Sequence, residues 1–578
     1  MDAPVPTTAP VRPSPPETDT DWWRSAVIYQ IYVRSFADGD GDGTGDLAGV
    51  RSRLGYLRDL GVDAIWFTPW YASPLADGGY DVSDYRAIHP DFGTLEEAEA
   101  LIREALELGI RTIVDIVPNH VSDRHAWFQA ALAAGPGSPE RERFWFRDGT
   151  GPDGDGIPNH WVSPFAGQTW TRTTDPDGTP GQWYLHLFAP EQPDLNWNHP
   201  DVRREHEDIL RFWFDRGAGG VRIDSAALLV KDPGLREITD DHAPGDHPNT
   251  DRDELHDIYR SWRTVADSYP GTRVLVGEIW LPDVDRFVKY LAPDEMHTAF
   301  NFDFLSRPWD PAQLRASIEQ TLAAHAPVRA PSTWVLSNHD VTRPVTRYGR
   351  ADSSFAFLAK RFGIPTDLAL GTRRARAAAL LTAALPGSLY LYQGDELGLP
   401  EVELPVEVLQ DPMHYRSGGV DPGRDGCRVP LPWEGERAPF GFSPAGSVGA
   451  PWLPQPDDWG RYSVAAESDD PRSMLNLYRA ALRLRKTDDA LGDGPLGSSD
   501  LHWLDMGPDV LAFRRGDGFL SITNFAGDGL TLPAGDVVLA SEEPASGVLP
   551  PDSTAWLRIR PGEIAENEQH PHQVERKA

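Results

Sequence analysis

Cysteine occurs once in 578 residues, at Cys427. No disulfide can form within the chain, and nothing demands an oxidising compartment. Cations are scarce: 54 Lys and Arg stand against 88 Asp and Glu, a formal charge of −34. A field of that sign repels phosphate backbones and anionic lipid, so neither nucleic acid nor a membrane surface is expected as a partner. No apolar run reaches the roughly 18 residues a membrane span needs. The start, Met1 to Asp21, is rich in Pro and Thr and carries no basic-then-apolar leader. These features predict a cytoplasmic protein, monomer or homodimer, with loose tails over 1–20 and 564–578.

Apolar residues make up 40% of the chain, enough for ordinary cores, and there are 20 tryptophans. Trp is a platform for the C–H face of a sugar, although any single one is more often core. From Trp22 onward, strand-length apolar runs alternate with amphipathic stretches. Ala26–Tyr32, Ala64–Phe67, Thr112–Val117, Gly220–Ile223, Val274–Val276, Ala299–Phe302, Thr333–Leu336 and Ser388–Tyr392 read as eight strands. Helices are expected at Leu47–Leu60, Leu95–Leu108 and Asp201–Phe214, each followed by a Gly stop. About seventy residues after the third run lack strong helix signals.

Eight βα units predict an α/β fold, a (β/α)8 TIM barrel with active residues at the C-terminal strand ends. His120, Asp224, Glu278, His339, Asp340 and Asp395 all fall just after a strand. Past Leu484 the texture changes to short alternating runs, among them Val510–Phe513, Phe519–Thr523, Val537–Leu539 and Ala555–Ile559, which read as an antiparallel β-domain. The expected layout is a barrel over 21–120 and 197–487, an insertion over 121–196, and a C-terminal β-domain over 488–563.

Three of the apolar runs end abruptly in carboxylates: Gly220-Val221-Arg222-Ile223-Asp224, Val274-Leu275-Val276-Gly277-Glu278 and Trp334-Val335-Leu336-Ser337-Asn338-His339-Asp340. A charge rarely closes a buried strand unless the strand opens into a cleft. Two carboxylates flanking one bond are the machinery of glycoside cleavage, one attacking the sugar carbon and one protonating the leaving oxygen.

Four strand-end strings, Asp115-Ile116-Val117-Pro118-Asn119-His120, Gly220–Asp224, Gly277-Glu278 and Asn338-His339-Asp340, occur in that order. Together they resemble the signature regions of the α-amylase family, glycoside hydrolase family 13. Gln192-Pro193-Asp194-Leu195-Asn196 resembles the string of its α-glucosidase, oligo-1,6-glucosidase and trehalose synthase subgroup, as do the stretches Trp22–Phe36 and Arg424–Trp433. The resemblance covers nearly the whole chain. It implies a barrel, an inserted domain B after the third strand and a C-terminal β-domain.

The resemblance implies Asp224 as nucleophile, Glu278 as acid/base and Asp340 as the carboxylate that grips the sugar's 2- and 3-hydroxyls. Arg222, two residues before Asp224 on one strand face, would keep the nucleophile ionised; the plain alternative is a structural ion pair. His120 and His339 would bond the same glucose, and Phe165 joins the expected sugar contacts. Asp77-Gly78-Gly79-Tyr80 resembles the subgroup's pocket string, Asp77 holding the terminal glucose and Tyr80 stacking beneath it, against the plain reading of an Asp-Gly turn. The Arg opposite Asp77 is expected within Arg424–Arg428, with Arg424 favoured.

Asp38, Asp40, Asp42 and Asp46 crowd one Gly-rich loop with Thr44, resembling the subgroup's calcium loop. A structural Ca2+ would relieve their repulsion; the alternative is a solvated turn. Ser225, after the nucleophile, is small, and in the family smaller residues there accompany α-1,4 preference while Val accompanies α-1,6. Two long segments, Leu229–Leu255 and Arg343–Gly371, are expected to shape access. The resulting expectation is a retaining exo-acting α-glucosidase on small α-glucosides such as maltose, able to transglucosylate. A trehalose synthase, an α-glucosyltransferase or an oligo-1,6-glucosidase remains an alternative. A non-catalytic transporter subunit is disfavoured by the three retained carboxylates.

Overall fold

A computed structural model describes residues 20–559 apart from 176, 357–361, 492–500 and 517. The two expected tails, Thr20 aside, lie outside the described residues. Eight parallel strands form one sheet: β1 (Val27–Ile31), β2 (Ala64–Phe67), β3 (Arg111–Ile116), β4 (Gly220–Ile223), β5 (Val274–Gly277), β6 (Thr298–Ala299), β7 (Thr333–Val335) and β8 (Ser388–Tyr392). Their order, β6-β5-β4-β3-β2-β1-β8-β7, brings the two end strands together into a nearly closed barrel. Between β6 and β7 the seam is bridged by side chains, Thr298 Oγ1 lying 2.5 Å from Thr333 Oγ1. Inward-facing Ile28, Trp66, Ile113, Val276, Val335 and Tyr390 fill the barrel as one packed cluster, so the polar groups above it rest on an apolar floor.

The flanking helices follow the capping chemistry written in their termini. Thr94 and Glu97 form a reciprocal capping box for Leu95–Glu107. Pro200 opens Pro200–Asp215 at a position where its missing N–H costs nothing. The helix expected over Leu47–Leu60 is instead two, Leu47–Ser52 and Leu54–Leu60, broken at Arg53. There the guanidinium lies 4.4 Å over the Trp433 ring and donates to the Gly441 carbonyl, tertiary contacts that override helix propensity.

The strand expected over Ala299–Phe302 stops at Ala299, because Asn301 accepts from Phe304 N–H at 2.9 Å and caps a helix, Phe302–Ser306. The stretch read as lacking helix signals contains one, Ala126–Ala134, an Ala-rich run capped by His125. The rest of that excursion is built around a three-stranded antiparallel sheet of Phe146–Arg147, Pro180–Leu185 and Trp170–Thr174. Trp145, Trp161 and Trp170 form its core with Leu235, which comes from the long segment after β4.

The C-terminal unit is a five-stranded antiparallel sheet in the order Leu501–Leu504, Val510–Arg515, Phe519–Asn524, Ser553–Arg558, Asp536–Ala540. Leu501–Leu504 was not legible as a strand: it is a half-exposed edge without clean alternation. The sheet docks on the helix Leu368–Ala384, where Trp556 donates its indole N–H to the Leu380 carbonyl at 3.1 Å. Among the described residues no helix is long and apolar enough to cross a membrane.

Candidate active site

At the C-terminal ends of the strands lies a cavity of about 900 Å³, lined by Asp77, Tyr80, His120, Asp224, Glu278 and Asp340 among others. Each acid arrives on a different element. Arg222 is the fulcrum. It is a fully buried side chain of β4 whose Nη1 lies 2.7 Å from Asp224 Oδ1 and 3.0 Å from Asp115 Oδ1, while Nη2 lies 2.9 Å from Glu278 Oε2. One guanidinium thus spans both expected reacting carboxyls. Glu278 also accepts from the Ser225 N–H at 2.8 Å and from the Trp280 indole at 2.9 Å. Ser225 reaches that position with a left-handed backbone, φ 47°, a conformation uncommon for a residue with a side chain.

Burial raises both carboxyls. It pushes Glu278 up to about 7, against Arg222 and with help from Asp224 and Asp340. It moves Asp224 the same way, opposed by the Arg222 charge and hydrogen bond. The two lie on one guanidinium and therefore titrate as a pair. Asp340 behaves oppositely. Against burial, its neighbours hold it well below the usual carboxylate range. Burial drives His339 well below its ordinary value, so the fixed positive charges near Asp340 Oδ1 are Arg424 Nη1 at 3.1 Å and Arg428 Nη2 at 3.0 Å.

A second ion-pair cluster also lines the cavity, around Arg424. Arg424 Nη2 lies 2.5 Å from Asp77 Oδ1, and Arg424 Nε lies 2.6 Å from Asp411 Oδ2. Arg424, not Arg428, therefore faces Asp77; Arg428 is turned to Asp340 and the His339 carbonyl. Phe165 lies under Arg424, with 4.8 Å from guanidinium to ring centroid. Tyr80 stacks on His339, ring centroids 5.2 Å apart and planes 6° from parallel. His120 takes the Tyr80 carbonyl at 3.0 Å. Asp395, also at a strand end, is turned away to the Ser337 hydroxyl.

Several residues that organise the site were not assigned from sequence. Asp115 accepts from Trp66, Tyr80 and Arg222, and burial pushes it up to about 8. Gln192, from the far end of the excursion, donates to Asp77 Oδ2 at 3.0 Å and lies 3.0 Å from His120. Both sit inside strings quoted above, which was the available signal. Asp411 had none, lying in an irregular stretch. Of the tryptophans, Trp280 alone lines the cavity among the described residues, its ring stacked 3.7 Å from Phe302.

In the acidic loop, ligand-type oxygens of Asp38, Asp40 and Asp42 lie within 4.8 Å of one another. Asp46 is not part of that group. Its carboxylate accepts from Gly49, Gly39 and Asp40 N–H groups and caps the helix Leu47–Ser52. The Thr44 N–H is bonded to Asp42 Oδ1 at 2.7 Å.

Comparison with known proteins points one way. Residues 30–494 match the family model for the α-amylase catalytic domain. The chain is 36% identical over 523 residues to a Rhizobium meliloti protein named "Probable alpha-glucosidase", covering 87% of this chain and 88% of that one. It is 34% identical to an oligo-1,6-glucosidase of Heyndrickxia coagulans, over 82% of this chain and 87% of the other. Among solved structures, the α-glucosyl transfer enzyme XgtA superposes with a TM-score of 0.78 at 34% identity, covering 93% and 99% of the two chains. The trehalulose synthase MutB of Pseudomonas mesoacidophila gives 0.79 at 30%, with the same coverage.

Proposed function

The chain belongs to the α-amylase family of glycoside hydrolases, and on that premise we propose that it is a retaining, exo-acting α-glucosidase. The observation that carries this reading is the single Arg222 guanidinium holding Asp224 and Glu278 at once. That bridge supports two carboxyls close enough for double displacement, which needs about 5–5.5 Å. Asp224 attacks the anomeric carbon while Glu278 protonates the leaving oxygen; Glu278 then takes a proton from water as the β-glucosyl ester is cleaved. Arg222 favours the ionised nucleophile, and the raised affinity of Glu278 for its proton suits it to the first step. Asp340, kept ionised by Arg424 and Arg428, accepts hydrogen bonds from the sugar's hydroxyls. The Asp77–Arg424 pair blocks the far end, which favours removal of one terminal glucose at a time. A cytoplasmic location fits the one buried cysteine.

The reading is tested by incubating the enzyme with maltose, isomaltose, sucrose, trehalose and 4-nitrophenyl α-glucoside and following the anomer released. α-Glucose from maltose is the expected first product. β-Glucose would contradict retention, and trehalose would shift the assignment to a synthase. Preference for α-1,4 linkages rests on the small Ser225 beside the leaving group. Ser225→Val is expected to raise the isomaltose-to-maltose ratio of kcat/KM by about tenfold, within the roughly 1–3 kcal/mol one pocket side chain commands.

A structural calcium is part of the same proposal. The hard oxygens of Asp38, Asp40 and Asp42 suit Ca2+, with Asp46 acting as helix cap instead. The ion would fix the loop and take no part in the chemistry. Chelation is expected to lower Tm by roughly 2–4 °C with kcat unchanged. An identical melting curve after chelation and calcium re-addition would remove the ion from the account.

A further inference from the structure

Resting on the glucosidase reading, we propose that Arg343 is a positioning residue for Asp340, acting through the turn that carries Arg424 and Arg428. Arg343 is 0% exposed and does not line the cavity. Its guanidinium donates to two backbone carbonyls, Nη1 to Gln393 at 3.0 Å and Nη2 to Cys427 at 2.7 Å. It forms no ion pair with a carboxylate among the described residues. Asp395 feels its charge, yet the Asp395 oxygens are bonded to the Ser337 hydroxyl. A buried charge kept in that state is costly; what it secures is the Cys427 carbonyl. The surroundings are shaped to admit it. Gly394 has φ 92°, and a Cβ there would stand 2.8 Å from Arg343 Nη1. The Tyr392 ring lies 4.8 Å below the guanidinium, and the Arg343 N–H donates to Glu401 Oε2 at 2.9 Å.

The Cys427 carbonyl is held twice, since the Tyr392 hydroxyl also donates to it at 2.9 Å. Cys427 ends the short turn Asp425–Cys427, with Arg424 immediately before it and Arg428 immediately after. Both arginines converge on one oxygen, Asp340 Oδ1, at 3.1 and 3.0 Å. Two like charges aimed at one atom repel each other, so the turn between them needs an anchor. Arg343 supplies it from three residues beyond Asp340 in the same segment. The two segments are thus clasped reciprocally: one sends Arg343 to Cys427, and the other returns Arg424 and Arg428 to Asp340.

In the glucosidase reading Asp340 accepts from hydroxyls beside the reacting carbon, bonds that tighten in the transition state. A turn released from Arg343 loosens Asp340 most where that grip is strongest. The loss therefore falls on kcat rather than on KM.

The test compares α-glucosyl fluoride with its 2-deoxy analogue, which lacks one hydroxyl assigned to Asp340. Arg343→Met is expected to lower kcat on the fluoride about 100-fold, with KM moved less than about twofold, and to lower kcat on the analogue only about threefold. Added to Asp340→Asn, it should cost less than about twofold more, because both changes act through one carboxylate. Equal losses on the two substrates, or losses that multiply in the double variant, overturn the proposal. Tyr392→Phe removes only the second donor to Cys427 and should show the same bias, at about fivefold on the fluoride. It decides the matter where Arg343→Met does not fold, and a loss without that bias overturns the proposal as well. Asp340→Asn losing equally on both substrates would instead strike the role of Asp340 in the glucosidase reading beneath it.

Discussion

Asp224→Ala is expected to cut turnover of maltose by about 10⁴-fold or more, because it removes the carboxylate proposed to form the covalent intermediate. The fold should survive the change. Arg222 keeps Asp115 at 3.0 Å and Glu278 at 2.9 Å, so the buried charge is not stranded. The decisive readout is stereochemical. With α-glucosyl fluoride and azide, the anion can occupy the space vacated by the carboxylate and yield β-glucosyl azide. An unchanged rate with maltose, or an azide product of α configuration, would show that Asp224 is not the attacking group.

Glu278→Ala is expected to slow maltose hydrolysis by about 10³-fold, the usual reach of a positioned proton donor. Its effect on α-glucosyl fluoride should be much smaller in the first step, since fluoride leaves without protonation. Azide should then intercept the glucosyl-enzyme from the opposite face and give α-glucosyl azide. The pH profile separates the roles further. Glu278, pushed up to about 7, must be protonated to act, so the native rate on maltose falls as pH climbs through that value. Asp224 must be ionised, and burial moves it upward, so the rate also falls on the acid side. In Glu278→Ala acting on the fluoride, the alkaline limb should vanish and the acid limb remain. A retained alkaline limb would assign that proton to another group.

Much of this was legible in the linear sequence because carboxylates close the apolar runs where strands end. Apolar runs closed by Asp224, Glu278 and Asp340 announced a barrel with acidic strand ends, the eight runs recur as the eight strands, and the three carboxylates line one cavity. The misses share a cause. Arg53 interrupts a helix because of Trp433, nearly four hundred residues away, and Asn301 ends a strand by a cap that competes with pairing. Local propensity cannot weigh either contact. At the site, Asp115 and Gln192 escaped assignment because their importance lies in what they hold, Arg222 in one case and Asp77 with His120 in the other. Asp411 was invisible for the stronger reason that only folding brings its loop against Arg424.

The amide of Gln192 bears on how such an enzyme could be trimmed or recombined. It arises at the close of the excursion yet reaches back to Asp77 and His120, while Asp194, two residues on, is paired with the wholly interior Lys231 at 2.8 Å. The insert is therefore a keystone and not a detachable canopy. A minimal barrel made by excising it would lose the clasp on Asp77 and His120, and a chimera carrying a foreign insert would have to supply an equivalent one.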